Sequence, residues 1–90
     1  MPKKAEPLSY AIIRLFEDGK ARCAADVVRE LQPTYGGHKL LTEQDVDEAL
    51  ATAKENELLD EVRVELSNSG EVRVFFKISA YGLSMVERYL

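Results

Sequence analysis

The chain has 90 residues, enough for one domain around one modest core. Apolar residues make up 46% and charged residues 31%, a balance that excludes disorder and lets the chain fold without a metal or a disulfide staple. The net charge of −4 runs against the electrostatics of an isolated nucleic-acid-binding domain, although a local basic patch can outweigh the total.

Residues 1–7 read as a flexible N-terminal tail and residues 8–90 as a single domain. Lys3 and Lys4 are followed by no apolar run, so the start is not a signal peptide. The longest apolar run is a few residues, too short to span a membrane. Cys23 is the sole cysteine and has no internal disulfide partner. Together these features point to a reducing, cytoplasmic setting.

Leu8, Ala11, Ile12, Leu15 and Phe16 fall at helical spacing, which predicts a first helix over 8–18. Pro7 suits its first position and Gly19 its C-terminal cap. A second helix is predicted from Cys23 to Gln32, with Ala24, Val27, Val28 and Leu31 inward, Asp26 in its first turn, and Pro33 as the stop. Gly36-Gly37 marks a connection of about ten residues, anchored by Tyr35, Leu40 and Leu41. Thr42 caps a third helix, with Asp45 completing a weak capping box. Its inward stripe is Val46, Ala49, Leu50 and Ala53, and it ends near Asn56.

Two alternating stretches follow, 58–66 and 71–79, separated by Ser67-Asn68-Ser69-Gly70. A bulged turn at Gly70 pairs Leu66 with Val72, Val64 with Val74 and Val62 with Phe76, placing every apolar residue on one face. The same register sets Glu65 opposite Arg73, Arg63 opposite Phe75 and Glu61 opposite Lys77. Phe75 then points to the outer face. Ser79 caps a last helix containing Leu83, Val86 and Leu90. The predicted fold is mostly α with a small β-hairpin, in the order helix-helix-helix-strand-strand-helix. A hairpin is not stable alone and must lie on the helices. A third helix followed directly by a hairpin is the layout of a winged helix-turn-helix.

Two segments carry a resemblance. Phe76-Lys77-Ile78-Ser79-Ala80-Tyr81-Gly82 resembles the end of the wing in bacterial PadR-like and MarR-like regulators, where an aromatic, an aliphatic, a Ser or Thr and a Gly lead into the last helix. Gly19-Lys20-Ala21-Arg22-Cys23-Ala24-Ala25-Asp26-Val27 resembles the lead-in to their second helix, with Cys23 where Ser or Thr is common. The similarity runs from Leu8 to Leu90. It implies a transcriptional regulator that binds double-stranded DNA, with helix three in the major groove and the wing on the backbone.

The charges on helix three oppose that implication. Glu43, Asp45, Asp47, Glu48, Glu55 and Glu57 stand against Lys54 alone, six acids and one base. Base readers of the usual kind are confined to Thr42 and Gln44, with Thr52 outward and Lys54 available for a phosphate. Lys39 and His38, after Gly36-Gly37, form the most basic loop, and Arg63 and Arg73 are the wing's other nucleic-acid candidates. Lys3 and Lys4 could serve as a minor-groove arm.

The alternative is a protein-interaction module whose acidic third helix contacts a basic partner protein, with no DNA binding. Tyr10, Phe75, Tyr81, Met85 and Tyr89 exceed what the core stripes require. These residue types suit an interface, and a homodimer through helices one and four would cover them. Catalysis is not expected. One His and one Cys are too few for a zinc site, and no phosphate-binding or dinucleotide motif occurs. No cofactor and no metal are implied.

Overall fold

The computed structural model describes residues 6–89. Its elements are α1 (Leu8–Leu15), a 3-10 turn (Phe16–Asp18), α2 (Ala24–Tyr35), α3 (Glu43–Glu55), β1 (Leu59–Leu66), β2 (Val72–Ile78) and α4 (Ala80–Tyr89). Most of the expected tail, 1–5, and Leu90 lie outside the described residues. Glu6 and Pro7 do not behave as tail. The Glu6 carboxylate meets Arg14 at 3.0 Å, its carbonyl accepts the Tyr35 hydroxyl, and Pro7 takes the N-cap of α1.

The helical stripes converge on one core. Phe16, Val27, Val46, Leu50 and Leu59 are almost wholly removed from solvent, and Phe76 closes the same cluster. Two boundaries differ from expectation. The first helix tightens into the 3-10 turn after Leu15, closing on Gly19 in the left-handed region. Helix α2 runs through Pro33 to Tyr35. Proline has no N–H to donate and disfavours a helix interior, but the last turn is held from outside, because Tyr35 packs on the core and its hydroxyl reaches Glu6. The connection to α3 is therefore Gly36 to Thr42, seven residues rather than about ten. Leu41 anchors it in the core, whereas Leu40 is exposed.

The hairpin keeps the expected register near its tip: Leu66↔Val72, Glu65↔Arg73, Val64↔Val74 and Arg63↔Phe75. Toward its base the register slips by one, so that Glu61 opposes Phe76 and Asp60 opposes Lys77. Val62 is the extra residue of a β-bulge. The cause is a clash of phase. Leu59 must enter the core opposite Ile78, yet it sits an odd number of residues from Val64 and Leu66 on the same face. One inserted residue reconciles them. Glu61 consequently meets Lys54 of α3, at 3.8 Å, instead of Lys77. Phe75 is also corrected: it is buried rather than open on an outer face, with the Arg63 guanidinium stacked 4.0 Å from its ring centre.

Helix α3 ends in a Schellman arrangement. Leu58 N–H bonds Ala53 C=O, and Glu57 N–H bonds Lys54 C=O, both at 2.9 Å. Glu57 occupies the left-handed position, φ 65°, usually given to glycine. The Ser79 hydroxyl donates to the Glu57 and Leu58 carbonyls, and its oxygen accepts Gly82 N–H at 2.8 Å, so one side chain joins the end of α3 to the start of α4. Gly82 lies against this junction so closely that an added Cβ would fall 2.1 Å from the Leu58 carbonyl oxygen. The serine and glycine of the family-like segment thus have a shared structural task.

Arg22 ties the remaining elements. It is 6% exposed. Nη1 and Nη2 bond the two carboxylate oxygens of Asp18, Nε and Nη2 bond those of Glu30, and Nη1 also bonds the Leu15 carbonyl. Its backbone exchanges two hydrogen bonds of 2.9 Å with Phe76, adding a one-residue third strand beside β2.

Three outcomes follow for stability. Glu57→Gly should raise it by about 0.5–1 kcal/mol, because the left-handed cost to an L-residue exceeds glycine's entropic penalty. That would appear as a thermal midpoint several degrees higher. Gly82→Ala should lower it by about 2 kcal/mol or more, through collision with the Leu58 carbonyl. The third outcome concerns pH. Hydrogen bonds from Arg22 first, then the Lys20 N–H, hold the Asp18 carboxyl well below the usual carboxylate range. A depressed folded pKa contributes stability above the unfolded value near pH 4, and loses it as pH falls further. Arg22→Met should cost about 2 kcal/mol at neutral pH, a modest figure for a buried pair because both carboxylates remain partly in water. Its urea midpoint should approach that of the wild type progressively as pH falls below about 4.5.

Candidate nucleic-acid interface

α2, the seven-residue connection and α3 form the helical part of the site. The Thr42 hydroxyl caps α3, accepting the Asp45 N–H at 3.1 Å and donating to the Asp45 carboxylate at 3.0 Å. That hydroxyl is thus committed to folding. In the connection, His38 Nδ1 accepts the Leu40 N–H at 3.1 Å, and its ring stands edge-on to Tyr35. Lys39 projects into solvent and makes no ion pair among the described residues.

The outward face of α3 carries Glu43, Gln44, Asp47, Glu48, Thr52, Lys54 and Glu55, all exposed. Its first turns border an open cleft of about 280 Å³, closed on the other sides by Cys23, Ala24 and Ala25 of the α2 start and by Val72, Arg73 and Val74 of β2. Gln44 and Arg73, two of the expected contact residues, meet here. Arg73 is held above its ordinary guanidinium value by the Cys23 sulfur first, with Glu43 and Glu71 adding attraction. Lys54 and Arg63 lie apart from the cleft. Lys54 faces Glu61 and Arg63 is bonded to Glu65 at 2.8 Å while stacked on Phe75. The sequence-based candidates therefore divide into a loop group, His38 and Lys39, and a cleft group, Gln44 and Arg73.

Cys23 itself is buried and precedes α2 as its N-cap. The Asp26 carboxylate accepts the Cys23 N–H at 3.1 Å and its thiol at 3.4 Å. Among the described residues, no group of three or more His, Cys, Asp or Glu is placed to hold a metal ion. No helix among the described residues is long and apolar enough to cross a membrane.

A second concave surface lies between α1 and α4. Ser9, Tyr10, Ile13, Leu58, Met85, Val86 and Tyr89 line a groove of about 340 Å³. It brings together three of the five expected interface residues. Tyr81 is exposed on α4 but does not line the groove, and Phe75 is buried within the fold.

No protein-family model matches the chain, and no curated protein matches it. Solved structures do. A PadR-like transcriptional regulator from Bacillus cereus superposes with a TM-score of 0.65 at 18% identity, over 89% of this chain and 74% of that one. A Streptococcus transcriptional regulator gives 0.64 at 18% identity with the same coverage. The fold is a winged helix-turn-helix. A mutant of Lactococcus lactis ZitR matches 97% of this chain with a TM-score of 0.62 at 16% identity, and here the chain spans about half the length of the matched protein, 51%. In winged-helix terms the β1–β2 hairpin is the wing, and the open cleft separates it from the start of α3.

Arg22 was not singled out by sequence reasoning, although it sets where α2 and the wing stand. Its signal was the spacing of carboxylates around it, Asp18 four residues before and Glu30 eight after. If Asp26 anchors the lead-in to α2 as the geometry implies, Asp26→Ala should destabilise by about 1 kcal/mol, as capping losses do. Amide exchange should then accelerate over 24–28 before it does in α3.

Proposed function

We propose that the chain is a DNA-binding transcriptional regulator that acts as a binding module and catalyses no reaction. The observation that carries this reading is the winged-helix arrangement shared with three solved structures, two of them transcriptional regulators, over 89–97% of the chain. The contact surface comprises the 36–42 connection, the first turns of α3 and the wing. Lys39 supplies the loop cation with the His38 ring beside it, Arg73 and Arg63 the cations of the wing, and Gln44 the outward amide on α3. Lys54, on the last turn of α3, meets a phosphate in this reading by exchanging its Glu61 partner at 3.8 Å. The exposed carboxylates of α3 repel phosphate, which keeps α3 shallow in a groove and makes the affinity modest and strongly dependent on salt. Cytoplasmic residence is part of this reading.

Titrating a mixed-sequence duplex at low salt while following backbone amide NMR signals tests it. Shifts should concentrate at residues 36–44 and the wing, with affinity of roughly micromolar to 100 micromolar, and should fade as salt rises. Lys39→Ala and Lys54→Ala should each weaken binding and lower the salt slope by about one unit. An unchanged spectrum at high duplex concentration would sink the DNA reading.

One observation favours a second reading. The exposed face of α3 is acidic along its length, and the wing surface beside it presents Val64, Leu66 and Val72. A basic protein segment fits that combination. Asp47→Lys with Glu48→Lys should then abolish partner binding while leaving DNA binding intact or stronger. The α1–α4 groove is the surface we assign to a homodimer. Tyr89→Glu should shift such a dimer to monomer in sedimentation velocity.

A further inference from the structure

The wing reaches beyond the helices, and its two strands have unequal edges. β2 is bridged to Arg22 at Phe76, and the starts of α2 and α3 flank it at Val72 and Val74. Among the described residues β1 has no strand on its other side, and Asp60 to Leu66 are all exposed. Which backbone groups face that open side follows from the ladder. Phe76 turns its N–H and C=O toward Arg22, so it does not bond across to Glu61. Antiparallel pairing alternates. Val74↔Val64 and Val72↔Leu66 are therefore also pairs whose backbone groups point apart. The Ser67 N–H bonded to Glu71 C=O at 2.8 Å fixes the same phase from the turn. On β1, the N–H and C=O of Val64 and Leu66 face outward.

We propose that the open β1 edge pairs antiparallel with β1 of a second copy of this chain, about a twofold axis at Val64. In that register each Val64 exchanges both backbone hydrogen bonds with its counterpart. Arg63 then stands opposite Glu65 of the second copy, twice over, and Val62 approaches Leu66. Other registers are worse. An axis at Arg63 opposes two arginines and sets Glu61 against Glu65. An axis at Glu65 opposes two glutamates. A slip of one residue places valines opposite charges. Only the Val64 axis matches charge with charge and apolar with apolar across the regular part of the strand, beyond the Val62 bulge. Val64, Leu66 and Val72, which are 55%, 73% and 65% exposed, gain apolar neighbours across the axis. The contact is separate from the α1–α4 groove and does not rest on the DNA reading.

Sedimentation velocity over a concentration series tests it, in a Tyr89→Glu background that removes the α1–α4 contact. The parent chain should dimerise. Arg63→Glu and Glu65→Arg should each weaken the dimer roughly tenfold or more, since both cross-axis pairs become repulsive. An equimolar mixture of the two variants should recover it as a heterodimer. The double exchange Arg63→Glu with Glu65→Arg, which keeps the net charge, should pair with itself and reject the parent. That last comparison still decides the matter if a single reversal fails to fold. A parent chain that stays monomeric up to roughly 1 mM overturns the proposal. So does association that ignores these exchanges.

Discussion

Arg22 uses all five of its N–H donors inside the protein, on two carboxylates and one main-chain carbonyl, while its own backbone pairs with the wing. A guanidinium cannot lose its charge, so a buried one must be fully partnered. This makes the residue a fixed joint. The end of α1, the body of α2 and the base of β2 all meet at one planar group whose geometry allows little play. Because the wing's position relative to α2 and α3 defines the cleft, that single side chain sets the shape of the surface on which every functional reading depends.

A second joint stands close by, also at the base of the wing. Ser79 satisfies the carbonyls where α3 gives way to β1 and simultaneously caps α4, with Gly82 leaving room for the Leu58 carbonyl. The wing is thus held at its base by two polar side chains with satisfied bonds, while its turn, residues 67–71, packs on none of the core. The core supplies cohesion, and these two joints supply direction. That division suits a small domain whose apolar interior is too limited to specify every angle by packing alone.

Much of this was legible in the sequence. Helical stripes such as Val46, Leu50 and Ala53 identify the core, because burial follows the 3.6-residue period closely. The Ser79-to-Gly82 spacing identifies the last junction. The Val62 bulge was hidden, since Glu61 to Leu66 alternate without a break. Only the demand that Leu59 enter the core reveals the extra residue. Pro33 misled for a related reason: local propensity ends the helix there, and a distant contact from Tyr35 to Glu6 carries it on. Arg22 was legible only as part of the lead-in to the second helix, because its pairing with Glu30 depends on how the start of α2 sets its side chain. In the candidate site, the charge conflict on α3 was visible from composition. The partition of the cations was not, as it depends on which carboxylates the folded wing brings near.

The Arg22–Phe76 bridge has a consequence for how the wing can grow. A two-stranded ribbon with both borders open is a seed for indefinite stacking, the hazard of any exposed sheet. Here one border is blocked at its base, where Arg22 pairs with Phe76, and the starts of α2 and α3 stand across a cleft from Val72 and Val74. A strand added there would meet Arg22 and those helices, so growth of the sheet is directed to the β1 side. The residue that orients the wing is also its terminator.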